Sequence, residues 1–387
     1  MKEKYCKIPK FRFNKFLESW KRLKYEDVIE VNSGKDYKHL EKGDIPVYGT
    51  GGYMLSVSEA ITNKDGVGIG RKGTINKPYI LKAPYWTVDT LFFCIPKNKY
   101  NLYFINAIFE RTQWERFDES TGVPSLSKLT INNIQNYFPS FDEQSAIGSL
   151  FRTLDDLLAS YKDNLANYKS LKATMLSKMF PKAGQTVPEI RLDGFEGEWK
   201  LYELKSRAET ITKGTTPKDK SWQGEVNYIK TESINRDTGS LVRTASTSLD
   251  EHLGYLKRSI LKEDDVLFSI VGTLGVVGIV DKKDLPANTN QQIAIIRLKR
   301  DDAIFMLNFL KSPRIKSFIK SDSTIGAQPS LSLWQIEKIK VSLPPSLEEQ
   351  QAIGTYFSNL DNLINSHQEK ISQLETLKKK LLQDMFI

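Results

Sequence analysis

The stretch FDEQSAIGSLFRTLDDLL occupies Phe141–Leu158, and 206 residues later LEEQQAIGTYFSNLDNLI occupies Leu347–Ile364. Both copies carry the marks of a helix start. Pro139 and Pro345 stop what comes before, and Ser140 and Ser346 stand at the N-cap. Glu143 and Glu349 follow three residues later, the spacing of a capping box. Asp142 and Glu348 place negative charge in the first turn, where the helix dipole favours it.

Beyond the start, apolar residues recur every seven positions. In the first copy these are Ile147, Leu154, Tyr161, Tyr168 and Met175, with Phe151, Leu158, Leu165 and Met179 on the intermediate seam. In the second they are Ile353, Leu360, His367, Leu374 and Leu381, with Phe357, Ile364, Ile371 and Met385 between them. Lys172 and Lys378 interrupt the two seams at the same point, beside Leu171 and Leu377. A seam sustained over more than four heptads predicts a coiled coil, with a pair of separate amphipathic surface helices as the plainer alternative. The first helix stops at Pro181, ahead of a linker over Lys182–Val187.

The rest of the chain repeats as well. IPKFRFNKFLESWK around Pro9 matches VPEIRLDGFEGEWK around Pro188, pairing Arg12 with Arg191, Phe16 with Phe195 and Trp20 with Trp199. SGKDY faces KGTTP, and GDIPVYG faces GEVNYIK. GRKGT at Gly70 is set against GTLGV at Gly272, Pro84 and Thr87 against Pro286 and Thr289, and VPSLS against QPSLS. The offset grows in steps, as loop insertions produce, so the chain is one unit written twice. The expected segments are a first head over 1–139, a helix over 140–180, a linker and second head over 181–345, and a second helix over 346–387. A long helix with an apolar seam needs a partner seam. The second helix can pack on the first only by running back along it, unless the chain pairs with another copy of itself. The fold class that follows is mixed α/β heads with a long antiparallel two-helix coiled coil, the halves related as a pseudo-two-fold repeat. Strand-like runs VDTLFFCIP, DVLFSIVG and QQIAIIRL and local helices over Tyr103–Phe117 and Ile304–Ser321 fill the heads.

Composition narrows the function. The chain has 387 residues with 56 Lys and Arg against 47 Asp and Glu, a formal charge of +9. That balance suits a polyanion partner such as nucleic acid and equally a slightly basic soluble protein. Cys6 and Cys94 are the only cysteines, and His39, His252 and His367 are not spaced as metal ligands, so no disulfide framework or zinc site is expected. The longest uncharged apolar run, Val266–Val280, contains three glycines and reads as a buried strand-turn-strand, too short to span a membrane. No apolar segment follows Met1–Lys4, so a secretory signal is not expected and a reduced cytoplasmic setting is. No phosphate loop, dinucleotide fingerprint or methyltransferase box is present, and GTLGVVG has the wrong spacing. Asp155 and Asp156 read as a solvated helix face.

Function then falls to loops in the heads. In the first these are Tyr48–Tyr53, Gly70–Asn76, Tyr85–Asp89 and Ser120–Lys128; in the second, Thr212–Lys220, Tyr228–Asn235, Gly272–Gly275, Ala287–Gln292 and Gly326–Ser332. Arg and Lys suit guanine, Asn and Gln suit adenine, and hydroxyls reach phosphates or base edges. The DNA-contact candidates of the first head are Tyr48, Thr50, Tyr53, Arg71, Lys72, Thr74, Asn76, Trp86, Ser125, Ser127 and Lys128. Those of the second are Lys213, Thr215, Thr216, Lys218, Lys230, Thr231, Asn235, Thr273, Asn288, Asn290, Gln291, Gln292, Gln328, Ser330 and Ser332. Matched positions carry different side chains: Arg71 against Thr273, Trp86 against Asn288, Asp89 against Gln291.

PEIRLDGFEGEW, KGTTPKDKSWQGEVNYIK, SGKDYKHLEKGDIPVYGTGG, GRKGTINKPYILKAPYWTVDTLFF and the two EQxAIG helix starts together make the chain resemble the specificity subunit of type I restriction-modification enzymes, over essentially its whole length. The resemblance implies two target recognition domains that each read half of a bipartite double-stranded DNA site. It implies paired helices that space them and dock two methyltransferase subunits, with restriction and translocase subunits in the full complex. Methylation from S-adenosylmethionine and ATP- and magnesium-driven cleavage belong to those partners, so the chain itself is expected to hold no cofactor and to be non-catalytic. FRFNKFLESW lacks the Asp-Gly-Phe-Glu-Gly turn of the second copy, which leaves only that turn different. The rival readings are a methyltransferase or nuclease with unrecognised motifs and a coiled-coil scaffold with protein-binding heads.

Overall fold

The computed structural model of the chain describes residues 8–324 and 328–387, so Met1–Lys4, Cys6 and Gly326 lie outside the described residues. The chain divides into two units, residues 1–162 with 369–387 and residues 163–368. The two long helices each pass from one unit into the other.

Unit 1 opens with β1 (Lys21–Lys24), a single turn α1 (Tyr25–Val28) and β2 (Ile29–Ser33). The hairpin β3 (Lys42–Gly49) and β4 (Gly52–Val57) follows, then β5 (Gly66–Gly70), β6 (Tyr79–Leu81), β7 (Trp86–Thr87) and β8 (Leu91–Pro96). Helix α2 (Leu102–Arg111), helix α3 (Lys128–Asn133) and β9 (Gln135–Phe138) lead into α4 (Phe141–Lys178). The central sheet runs β2-β8-β5-β6 and is antiparallel; β4-β3-β7 forms a second, mixed sheet, and β1 pairs with β9. Strand β5, GVGIG, is buried at every position, which is why it reads as a continuous apolar run and not as an alternating one.

Unit 2 repeats the order: β10 (Lys200–Glu203), α5 (Leu204–Arg207), β11 (Ala208–Lys213), β12 (Val226–Ile229), β13 (Ser246–Thr247), α6 (Leu249–Leu253), β14 (Val266–Ser269), β15 (Val277–Ile279), β16 (Ala287–Thr289) and β17 (Ile293–Leu298). Helices α7 (Ala303–Lys311), α8 (Pro313–Asp322) and α9 (Leu333–Glu337), strand β18 (Lys340–Leu343) and helix α10 (Leu347–Asp384) complete it. Its sheets run β11-β17-β14-β15, β13-β12-β16 and β10-β18, strand for strand the plan of unit 1. Val266–Val280 is the strand-turn-strand its composition suggests.

The repeated EQxAIG stretch does one job in both units: it seats a long helix on a head. Gln144 accepts from the Asn101 backbone at 3.1 Å and Gln350 from that of Asp302 at 3.0 Å, the N-cap residues of α2 and α7. At Gly148 a Cβ would lie 2.4 Å from Asn101 Oδ1, and at Gly354 2.7 Å from Asp302 Oδ1, so only glycine admits this approach. The glutamates are not free to close a capping box. Arg12 donates to Glu143 through Nε and Nη2 at 2.7 Å each, and Arg191 to Glu349 at 2.8 Å each. Trp20 Nε1 also donates to Glu143, at 3.3 Å. Of the two serines, Ser346 caps as expected, accepting from Glu349 N at 3.2 Å. The turn before Trp20 forms in both copies although one lacks the Asp-Gly pair.

The seams pair antiparallel within each unit. In unit 1, Ile147, Phe151, Leu154 and Leu158 share a core with Leu374 and Met385, and Tyr161, Ile371 and Leu381 flank it. In unit 2, Met179, Ile353, Phe357 and Leu360 are buried with Tyr168 and Met175 packed on them, and Tyr168 meets His367 edge-on at 5.1 Å. Ile364 is buried and Leu165 half-buried. The lysines that interrupt the pattern are themselves in the seam. Lys172 donates to Asp361, and Lys378 to Asp155 and to Glu110 at 2.7 Å. Asp155 is therefore half of an interhelical ion pair and not a solvated face; Asp156, at the surface, pairs loosely with Arg152 at 3.6 Å.

Candidate nucleic-acid interface

In unit 1 the loops Gly70–Asn76 and Ser120–Lys128 meet although residues 77–119 separate them. Lys72 forms a bridge with Ser125, Gly73 N donates to Pro124 O at 2.8 Å, and Leu126 N donates to Arg71 O at 2.9 Å. Gly70 has no room for a side chain, since a Cβ would lie 2.0 Å from Thr74 O. Arg71, Lys72, Ser125, Ser127 and Lys128 line a cleft of about 290 Å³. Arg71, Lys72, Thr74, Asn76 and Lys128 are exposed. Asn76 donates to Glu115, and Arg71 lies over the Phe92 ring at 5.7 Å. At the β3–β4 tip, Tyr53 is exposed and packs edge-on against Tyr48, while Thr50 is half-buried.

Unit 2 laces its loops in the same way. Val271 bridges Ser330, Gly272 N donates to Pro329 O at 3.0 Å, and Leu331 N donates to Ile270 O at 2.8 Å. This lacing resets the repeat. Gly73 corresponds to Gly272, both with left-handed φ, so Arg71 stands opposite buried Ile270 and not opposite Thr273. Thr74 is the true counterpart of Thr273. Thr273, Gln291 and Gln328 are exposed, and Asn290 and Gln292 bond each other at 3.2 Å. Elsewhere in the head, Lys218 lies over Tyr255 at 4.8 Å, Arg258 donates to Thr215 at 3.5 Å, and Lys230 sits 3.6 Å above Trp222. Lys213 is exposed and Thr216 half-buried.

Several candidates have structural duties instead. Trp86, 6% exposed, packs with Val47 and Val57 and donates Nε1 to Lys35 O. Asn288, fully buried, accepts from His252 Nδ1 through Oδ1 and donates through Nδ2 to Leu256 O and Ser259. Strands β7 and β16 stand at the ends of their three-stranded sheets yet are buried at every position, so neither side chain can reach a base. Ser127 and Ser332 cap α3 and α9, accepting from Thr130 N and Gln335 N. Asn235 closes a turn by accepting from Asp237 N and Thr238 N at 2.9 and 3.1 Å. The Thr231 hydroxyl is buried with no partner among the described residues.

Tyr255, Lys257 and Arg258 were not among the candidates. They lie on a segment around α6 that unit 1 lacks. The repeat offset jumps from 181 at Tyr48 against Ile229 to 199 at Gly73 against Gly272, and that jump places the insertion between those points.

Two heads of one topology, each with two laced loops of different polar side chains on a helix-docked base, define a duplicated recognition module. A family model for the type I restriction modification DNA specificity domain matches residues 18–167 and 196–376, one match per copy, and the chain belongs to this family. It is similar to the specificity subunit of the type I restriction enzyme MjaVIII of Methanocaldococcus jannaschii, 24% identical over 68% of this chain and 64% of that one. It is also similar to the EcoBI specificity subunit of Escherichia coli, 23% identical over 95% and 86%. The chain spans less than two thirds of the MjaVIII and MjaX specificity subunits, at 64% and 60%. In fold it resembles the crystal structure of a type I restriction-modification S subunit from M. genitalium, with a TM-score of 0.70 at 16% identity, covering 98% of this chain and 99% of that one. A chain from an assembly structure of the type I system gives a TM-score of 0.52 at 15% identity over 96% and 98%. Among the described residues no helix is long and apolar enough to cross a membrane.

Proposed function

We propose that the chain is a non-catalytic DNA-recognition subunit, in which each unit reads one half of a bipartite, asymmetric double-stranded target. The observation that carries this is the duplication with divergence at the loops. The frames of the two heads agree strand for strand, while Arg71, Lys72 and Asn76 in one give way to other side chains in the second, which adds Tyr255 and Arg258. A shared frame with different exposed donors suits two different base sequences. The long helices, 38 residues each and about 57 Å at 1.5 Å per residue, set the number of base pairs between the half-sites. They also offer docking surface to two methyltransferase subunits. Those partners, with restriction and translocase subunits, hold S-adenosylmethionine, ATP and magnesium and do the chemistry in the cytoplasm, near the nucleoid.

Methylation mapping of cells that carry the chain and its methyltransferase, against cells that lack the chain, tests this. A new bipartite methylated motif that vanishes without the chain is expected. Methylation by the purified chain alone, or a motif independent of it, refutes the proposal. Binding to duplex by the assembled complex should fall steeply with salt as phosphate contacts release counterions.

A further inference from the structure

A cavity of about 730 Å³ in unit 1, lined also by Ile387, gathers four cations that have no side-chain ion pair among the described residues. Arg22 of β1, Arg111 at the end of α2, Arg116 and Lys379 of α10 line it, with Gln113 and Asn136 beside them. The lining carboxylate, Glu110, is committed elsewhere: Lys378 donates to it at 2.7 Å and Asn106 at 2.9 Å. Among the described residues none of the four cations makes an ion pair. Arg111 is half-buried, and burial lowers its pKa against only a weak opposing pull from the Tyr25 hydroxyl. Holding a guanidinium partly out of water with no anion beside it costs free energy that a bound anion recovers.

The second copy is an internal control. The N-caps Asn101 and Asp302 fix the helix correspondence, so Arg111 stands opposite Ser312 and Arg116 opposite Ser317. The β1–β9 and β10–β18 pairs set Arg22 opposite Leu201, and the long helices set Lys379 opposite Ala173. All four cations are replaced by uncharged residues. The shared fold therefore does not need them, and they belong to something unit 1 does alone.

We propose that this cavity binds a phosphate-bearing anion up to the length of a triphosphate, with Arg22, Arg111, Arg116 and Lys379 on the phosphates. The guanidinium fork matches phosphate oxygens two at a time. Four positive charges balance a triphosphate, which carries roughly three to four negative charges at neutral pH. The volume lies within the range of small-ligand sites. The inference stands apart from DNA reading by the loops.

Titration of the full chain with sodium tripolyphosphate at low ionic strength, followed by calorimetry, tests it. Saturable binding at one site per chain is expected. R111Q/R116Q should weaken it about a hundredfold, roughly tenfold for each charge-assisted contact. K379Q, at an exposed position that does not endanger the core, should weaken it about tenfold. R236Q/R243Q removes the same charge from unit 2 and should leave it unchanged. Absence of saturable binding, no effect of K379Q, or equal weakening by R236Q/R243Q overturns the site. A DNA duplex then identifies the source of the phosphates. Displacement of tripolyphosphate by the duplex assigns the site to backbone phosphates, and simultaneous binding assigns it to a free polyphosphate.

Discussion

Substituting Lys311 by Met should stabilise unit 2 near neutral pH and flatten its pH dependence. Lys311 stands where unit 1 has Glu110. In unit 1 the seam lysine, Lys378, meets two acids, and they lift its pKa despite burial. In unit 2 Lys172 meets one acid among the described residues, Asp361, and donates besides to the Asp237 backbone oxygen, with Lys311 beside it in place of the second acid. Lys311 Nζ donates to Asp237 O at 3.2 Å, and the Asp237 carboxylate is itself taken by Lys169 at 2.8 Å. Burial first, and then repulsion from Lys172, bring the Lys311 pKa from 10.5 down to about 7. The native state thus holds this proton less tightly than the unfolded chain. Between pH 7 and about 10 the unfolded chain binds more protons, so stability rises with pH through that window and the penalty is fully present below it. The whole shift corresponds to roughly 5 kcal/mol, and relaxation toward Asp361 and solvent reduces a realistic figure to about 2–3 kcal/mol. Urea midpoints across that pH range are the assay. K311M should exceed the wild type by about that amount at neutral pH, with the gap closing as pH climbs. A variant as pH-dependent as the wild type, or less stable at every pH, refutes the assignment.

Gly148→Val forces a Cβ against Asn101 Oδ1, 2.4 Å away, and should cost about 2–3 kcal/mol in thermal unfolding, with local hydrogen exchange rising in α2. Glu349→Gln leaves Arg191 without its carboxylate and should cost about 3 kcal/mol, whereas E349L/R191M together should restore most of it in the same denaturation assay. Asp361→Asn, which strands Lys172 beside Lys311, should cost about 3–5 kcal/mol, and K172M/D361L should be close to wild type by urea midpoint. Adding one heptad to each of α4 and α10 should lengthen the gap between methylated half-sites and leave both half-site sequences unchanged in methylation maps.

The long helices were legible because their signals are local. A seam at heptad spacing, a proline stop and a serine cap need no knowledge of the rest of the chain. The repeat was legible for a related reason: comparing the chain with itself supplies a second example of every element. What stayed hidden depends on partners distant in sequence. Glu143 and Glu349 sit at capping-box positions, yet their carboxylates are held by Arg12 and Arg191, more than a hundred residues away. Lys172 and Lys378 looked like defects until Asp361 and Asp155, at the same repeat offset, faced them across the seam. Trp86 and Asn288 sit in polar, turn-rich stretches, but strands β7 and β16 turn both inward. The loop register slipped at Arg71 because two glycines, Gly70 and Gly73, compete to align with Gly272, and only the backbone bonds to Pro124 and Pro329 decide between them.

The central claim is that the two units recognise DNA independently. Its most direct test is to exchange residues 187–345 for the corresponding segment of a relative with a different target and map methylation in cells. The account predicts that one half-site changes while the other half-site and the gap persist. A change in both halves contradicts it.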